Sequence, residues 1–121
     1  MIEQDIYSAI QAVFSGRVYP DTAPMGTTYP FCVYQQVGGV PSNSFCGNTN
    51  KQNARVQFWV WSRSREEASQ LSRLIESILT QPPLRGVSQN SLVARYDEPT
   101  KTYGAQQDIS FWYLNVLPSG A

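Results

Sequence analysis

The sequence predicts an α+β domain in which two helices pack on one face of a four-stranded antiparallel sheet, in the order α-β-β-α-β-β. Two segments repeat apolar residues at the helical period, and four segments are rich in β-branched and aromatic residues or alternate in polarity. The period changes from 2 to 3.6 between residues 62 and 64, which marks the passage from a strand into the second helix. At 121 residues the chain is long enough for one hydrophobic core and too short for two domains.

The first predicted element is an amphipathic helix near the N-terminus. Acidic residues Glu3 and Asp5 lie in its first turn, where they complement the helix dipole, and Gly16 is a natural stop. Its apolar stripe consists of Ile2, Ile6, Ala9, Ile10, Val13 and Phe14. Residues 17–30 contain three prolines and Gly26, and we expect a loop there.

Two strands follow, at Phe31–Val37 and Arg55–Trp61. The second alternates cleanly, with Val56, Phe58 and Val60 facing one side and Arg55, Gln57, Trp59 and Trp61 the other. Residues 38–54 between them are rich in Ser, Asn and Gly, and exceed the two to five residues that usually join neighbouring strands. We therefore predict a long projecting loop that touches a partner, with Val40 and Phe45 as apolar anchors.

The second helix begins at a capping box formed by Ser64 and Glu67, and Pro82-Pro83 ends it. Its predicted buried face consists of Ala68, Leu71, Leu74, Ile75, Ile78 and Leu79.

The C-terminal third predicts two more strands, at Leu92–Asp97 and Gln107–Val116, joined by a turn over Glu98–Gly104. The last strand alternates Ile109, Phe111 and Tyr113 with Asp108, Ser110, Trp112 and Leu114. The predicted domain covers residues 1–117, and residues 118–121 form a flexible tail.

Charge and cysteine content disfavour several classes of protein. Nine basic residues balance nine acidic ones, whereas nucleic-acid and membrane-surface binders usually carry a basic excess. No apolar run is long enough to span a bilayer, and the acidic N-terminal segment is unlike a secretory signal. Cys32 and Cys46 are expected to be free thiols in a reducing cytoplasm, although a bridge pinning the loop to its own strand stays open.

Catalytic groups are scarce. The chain has no histidine, so the commonest general base, the usual nucleophile–histidine pairs and the usual zinc ligand sets are absent. Asp97 and Glu98 are adjacent and point apart in a strand, and Gly38-Gly39 lacks the context of a phosphate-binding loop. We predict no enzyme activity, no metal and no cofactor.

The three tryptophans carry the functional prediction. Alternation places Trp59, Trp61 and Trp112 on the sheet face turned away from the helices, where an antiparallel sheet open to water should be polar. A covering loop or terminus, a subunit interface, and stacking with single-stranded nucleic acid all remain open explanations. Arg63 and Arg65 at the strand–helix junction belong either to a solvated turn or to a subunit contact. The predicted interface residues are Val40, Phe45, Lys51, Trp59, Trp61, Arg63, Arg65 and Trp112.

Several motifs, in this order over nearly the whole chain, resemble a known family. They are Tyr29-Pro-Phe-Cys-Val33 in the first strand, Val56-Gln-Phe-Trp-Val-Trp-Ser-Arg63 before the second helix, and Arg95-Tyr-Asp97 with Thr102-Tyr-Gly104 before the last strand. The chain resembles the tail-completion proteins of long-tailed bacteriophages and prophages, also called tail terminator or tail-to-head joining proteins.

The resemblance implies a virion component, assembled in the bacterial cytoplasm, that caps the finished tail tube at the head–tail junction as a ring, most simply a hexamer. Its implied partners are other copies of itself, the tail tube protein and the head connector protein, with no membrane or nucleic acid. A head-side neck protein and a single-stranded nucleic-acid binding module that uses the aromatic face are the alternatives.

Overall fold

The computed structural model describes residues 2–40 and 51–114. Phe45, Cys46 and the predicted tail at 118–121 lie outside these residues, as does the course of the loop over 41–50. The described elements are α1 (Ile2–Ile10), a 3-10 turn (Gln11–Phe14), β1 (Val18–Pro20), β2 (Phe31–Gln36), β3 (Lys51–Ser62), α2 (Arg65–Leu79), β4 (Val87–Ser88), β5 (Val93–Asp97) and β6 (Thr102–Leu114).

The α+β class is confirmed, but the prediction of a four-stranded, wholly antiparallel sheet is wrong. The sheet has six strands, in the order β1-β2-β3-β6-β4, with β5 also paired to β6. The additional strands are β1, which runs parallel to β2, and the two-residue β4. Both are too short to display a period, and Pro20 marks β1 as an edge strand because it lacks a backbone N–H.

The two central strands are longer than the sequence suggests. Residues 51–54, expected in the loop, extend β3, and residues 102–106, expected largely in a turn, begin β6. Lys51, Gln52 and Asn53 have low intrinsic β propensity, but they pair with residues 112–114, so tertiary pairing overrides local preference.

Both helices begin and end close to the predicted positions, for the predicted reasons. Ser15 and Gly16 end the first helical segment with positive φ angles of 52° and 83°. The Ser64 hydroxyl accepts the Glu67 N–H at 3.3 Å and caps α2. The reciprocal bond of a capping box runs through Ser62, whose hydroxyl accepts the Ser64 N–H at 3.2 Å and donates to the Glu67 carboxylate.

One hydrophobic core lies between the helices and a single face of the sheet. The β3–β6 register sets Val60 opposite Ala105, Phe58 opposite Gln107 and Val56 opposite Ile109. The residues of this core include Ile2, Ile6, Ile10 and Phe14 from the first helical segment, Ile75 and Leu79 from α2, and Val56, Phe58, Val60, Ile109 and Phe111 from the sheet. Since both helices contribute to the same core, they share one face, as the sequence predicts.

Candidate interaction surface

The sheet side turned away from the helices, called here the open face, carries all three tryptophans. Trp59 lies opposite Val33 and Gln106, Trp61 lies opposite Phe31 and Gly104, and Trp112 lies opposite Asn53. Trp59 and Trp61 are half-buried, whereas 45% of Trp112 is exposed. The register thus places these side chains on the side expected from their alternation.

One end of the open face is a cluster of rings beside the β3–α2 junction. The Trp61 indole lies over Gly104, where an added Cβ would come within 2.9 Å of the ring. The rings of Tyr29 and Phe31 are 5.1 Å apart, and the Arg63 guanidinium stacks 5.0 Å from the Tyr29 ring. A hollow of about 270 Å³ separates this cluster from Asp97, Thr100 and Thr102.

Polar groups occupy the middle of the open face. Arg55 forms an ion pair with Asp108 at 2.8 Å, and the Arg95 Nε donates to the Gln106 Oε1 at 2.8 Å. The Asp108 side chain is 8% exposed, and its Oδ1 has no hydrogen-bond partner within the described residues. A buried acceptor oxygen that lacks a donor is uncommon in a native protein, and this one is covered by its own chain.

The far end of the open face carries Trp112 and the root of the loop. The Lys51 ammonium lies 5.3 Å from the centre of the Trp112 ring. The Asn53 Oδ1 accepts the Val40 N–H at 2.8 Å, while its amide donates to the Ser110 hydroxyl at 2.8 Å and the Phe111 carbonyl at 3.1 Å. Asn53 therefore fixes the last residue described before the loop to both central strands.

Arg65 bonds within its own chain. Its guanidinium donates to the carbonyls of Gly104 at 3.0 Å and Arg95 at 2.8 Å, and stacks 5.0 Å from the Tyr103 ring. These contacts tie the start of α2 to the β5–β6 hairpin.

The described residues offer little for catalysis or metal binding. Burial raises the pKa of the Cys32 thiol well above its usual range, so this cysteine is protonated and inert at neutral pH. Histidine, cysteine and carboxylate side chains form no group of three that could hold a metal within residues 2–40 and 51–114. In the same ranges no helix combines the length and apolarity needed to cross a bilayer.

The structure places some of the predicted interface residues in two groups, at opposite ends of the open face. Trp61 and Arg63 belong to the ring cluster, and Lys51 lies beside Trp112 at the opposite end. Trp112 pairs with Asn53, eight positions from Trp61 along β3, so the two tryptophans are roughly 27 Å apart at the usual rise per residue. The tryptophans therefore form a stripe along the sheet, which suits a macromolecular surface better than a small-molecule pocket.

Sequence reasoning missed several members of the open face. Tyr29, Phe31 and Val33 lie there, whereas alternation had already placed Asp108 on the side of Trp112. The burial of four consecutive residues, Phe31 to Tyr34, explains why the alternation in β2 is weak. Its pairing with β3, which sequence alone does not give, settles which of them face the tryptophans.

Comparison with known proteins identifies one family. The family model described as Tail completion protein gp17 matches residues 7–114, which include every described strand, the whole of α2 and the last turn of α1. A search of curated protein sequences finds no match.

Proposed function

Since this chain belongs to the family of tail completion proteins gp17, it is a structural component of bacteriophage tail assembly and hence of the virion, and we propose that it caps the completed tail tube as a homo-oligomeric ring at the head–tail junction. The ring, most simply a hexamer, forms after synthesis in the bacterial cytoplasm. One side of the ring meets the tail tube protein and the other meets the head connector protein.

The observation that carries the proposed self-association is the aromatic stripe on the open face. Trp59 and Trp61 are half-buried and Trp112 is nearly half exposed in a single protomer, although all three lie on a regular sheet. Exposed aromatic side chains with arginines among them are typical of the cores of protein–protein interfaces. A neighbouring subunit that covered the stripe would remove this apolar surface from water.

The polar groups in the middle of the stripe would give such a contact its specificity. Arg55 and Asp108 neutralise each other, and the Arg55 side chain, which is 43% exposed, would donate a hydrogen bond to the neighbour. A polar group that a contact buries without a partner costs about 1–3 kcal/mol, so a subunit that supplies an acceptor for Arg55 is favoured over one that does not.

A closed ring also requires two different surfaces on each subunit. If the open face met only another open face, a two-fold dimer would result, because isologous contacts close on themselves. The loop provides the second surface in our proposal. Its root at Val40 is held by Asn53, and Val40 with Phe45 anchors it on the next subunit.

Mass measurement across protein concentrations tests the self-association. We expect the purified protein to pass from monomer to one closed oligomer as the concentration rises. A protein that is monomeric at all concentrations, both alone and with purified tails, contradicts the ring.

In vitro complementation tests the junction role. A lysate of the phage that lacks this gene should contain unjoined heads and tails, and the purified protein should restore joined particles when added to the tails first. Restoration only after incubation with heads would favour a head-side neck protein instead. Binding to single-stranded DNA that weakens steeply with salt would favour the nucleic-acid alternative.

A further inference from the structure

The outer edge of β6 loses its neighbouring strand before β6 ends. β4 pairs with Ile109 and Ser110 only. Just before β4 the chain crosses to the helix side, where Gly86 packs so closely that an added Cβ would lie 2.5 Å from Ile109 and 2.7 Å from Phe111. Within the described residues, therefore, no strand lies beside this edge after Ser110.

The backbone of β6 presents hydrogen-bonding groups at this unoccupied edge. The backbone N–H and carbonyl of Asp108 point toward this outer edge. The N–H donates to the Asn90 Oδ1 at 2.8 Å, and the carbonyl accepts the Gln89 N–H at 2.9 Å. The Phe111 carbonyl points the other way, toward Asn53 of β3. Strand alternation then turns the N–H and carbonyl of Trp112 outward, together with the N–H of Leu114. Neither group of Trp112 is bonded by a residue of the described chain.

An apolar groove runs along the same edge. Its volume is about 610 Å³, and it is lined by α1, by the end of α2 and the residues after it, and by Trp112 and Tyr113. The side chains of Trp112 and Tyr113 lie on opposite sides of the sheet, yet both line the groove, and no residue of β3 does. The groove therefore follows the outer edge of β6, with Ile2, Ala9, Ile78 and Leu84 as its apolar wall.

We propose that this edge and groove form a strand-addition site for an extended segment of a second protein. The segment would continue the line of β4, exchange backbone hydrogen bonds with Trp112 and Leu114, and place alternate apolar side chains in the groove. Backbone bonds at a sheet edge and a pocket for every second side chain are the two components of recognition by strand addition. The occupant must be extended because it bonds to a free strand edge, and every second side chain must be apolar because it contacts the apolar wall of the groove.

This site lies along the outer edge of β6 and shares only Trp112 with the open face, so it does not depend on the proposed ring. A short peptide can test it directly, without tails, heads or oligomers.

The probe is an acetylated and amidated hexapeptide in which leucine and threonine alternate. We expect its titration into the isotopically labelled full-length protein to shift the backbone amide resonances of Trp112 and Leu114 more than those of Trp59 and Trp61 on the open face. Two further peptides carry N-methyl groups on the leucines or on the threonines. Strand addition uses only one of these two sets of amides, so one methylated peptide should bind at least tenfold more weakly and the other about as well as the parent.

A matched pair of protein variants tests the same edge by changing the protein instead of the peptide. Trp112→Ala and Trp112→Pro both lack the indole, and only the proline variant also lacks the outward N–H. We expect the proline variant to bind the peptide at least fivefold more weakly than the alanine variant.

Equal binding by the two variants, or equal binding of the two methylated peptides, would overturn the proposal. Resonance shifts that appear only after residues 115–121 are removed would show that the chain occupies its own groove, and an absence of shifts in both proteins would show that no such site exists.

Discussion

At the scale of single residues, Arg65 is the clearest case of a side chain whose role depends on the fold. Its position after Trp61 and Arg63 suggests either a solvated turn or a subunit contact. In the structure its guanidinium bonds to two carbonyls, on β5 and β6, and stacks on Tyr103. Arginine suits this position because its planar fork can reach two acceptors and lie flat on a ring at once, which lysine cannot do.

Replacing Arg65 by lysine should lower the free energy of unfolding by about 1–2 kcal/mol, since at least one charge-assisted hydrogen bond and the ring stacking are lost. Urea denaturation followed by tryptophan fluorescence would measure the change. Arg63→Lys is the matched control: the contact seen for Arg63 is the stacking on Tyr29, and the expected loss is about 0.5–1 kcal/mol. Equal losses in the two variants would show that the carbonyl bonds of Arg65 contribute little.

Cys32 gives a prediction about pH. Burial raises the pKa of its thiol above the ordinary value of 9.0, so the unfolded chain ionises at a pH where the folded chain does not. Because the pKa is raised in the folded state, the contribution of Cys32 to the free energy of unfolding is fully present below pH 9.0. This contribution declines as the pH rises beyond 9.0. Above that pH, the wild type should lose up to about 1.4 kcal/mol more stability per pH unit than Cys32→Ala. Denaturant titrations of both proteins over a pH series supply the comparison, and parallel curves would contradict it. Cys46 is present in both proteins, so its ionisation contributes equally to the two pH series.

At the scale of elements, the β3–β6 pair forms the centre of the sheet and also supports the loop. The two strands pair over twelve residue positions, and β2 covers only the half of β3 nearest α2. The remaining part carries Asn53, which holds Val40. The loop root is consequently part of the sheet, although its sequence looks like a linker.

Replacing residues 41–50 by a short Gly-Ser linker should change the melting temperature little, because Val40, Lys51 and Asn53 are retained. The same variant should fail to restore joined particles in the complementation experiment, since the loop is our proposed second subunit surface. Asn53→Ala serves as the opposite control: it keeps the loop sequence and removes the bonds that hold its root, so it should cost about 1–2 kcal/mol of stability. A loop replacement that unfolds the protein would place the loop in the core.

At the scale of the whole molecule, the helices and the core occupy one side of the sheet and leave the aromatic stripe on the other. A monomer gains nothing from exposed tryptophans, whereas an assembly gains their burial. Burying a whole tryptophan removes about 150–250 Å² from water, worth roughly 4–6 kcal/mol at about 25 cal/mol per Å². Trp59 is already partly buried, so at most about a third of this figure is available to a subunit contact, before the cost of association is subtracted.

Trp59→Ala should therefore reduce the assembled fraction more than it reduces the stability of the monomer. Analytical ultracentrifugation over a concentration series measures the first quantity, and denaturant unfolding at a concentration where the protein is monomeric measures the second. Leu74→Ala is the control, because Leu74, wrongly predicted to belong to the buried face of α2, is exposed there on the opposite side of the sheet. If Trp59→Ala unfolds the monomer and Leu74→Ala alters assembly equally, the open face is not the contact surface.

The sequence by itself determined the elements whose causes are local. The stripe from Ile2 to Phe14, the cap at Ser64 and the alternation from Arg55 to Trp61 each report an interaction within a few residues, and each prediction holds in the structure. Alternation also determined the side of the sheet to which Trp59, Trp61 and Trp112 belong, because side chains on a strand alternate strictly between its two faces.

Only the tertiary structure decided the features that depend on residues far apart in the chain. β1 and β4 are strands because β2 and β6 lie beside them, and Lys51–Asn53 extend β3 because residues 112–114 pair with them. The bonds of Arg65 to Arg95 and Gly104, and the unpaired edge at Trp112, follow from the same long-range placement. Local patterns record the interactions of a residue with its sequence neighbours, whereas strand pairing and the edges it leaves free depend on which distant segments the core brings together.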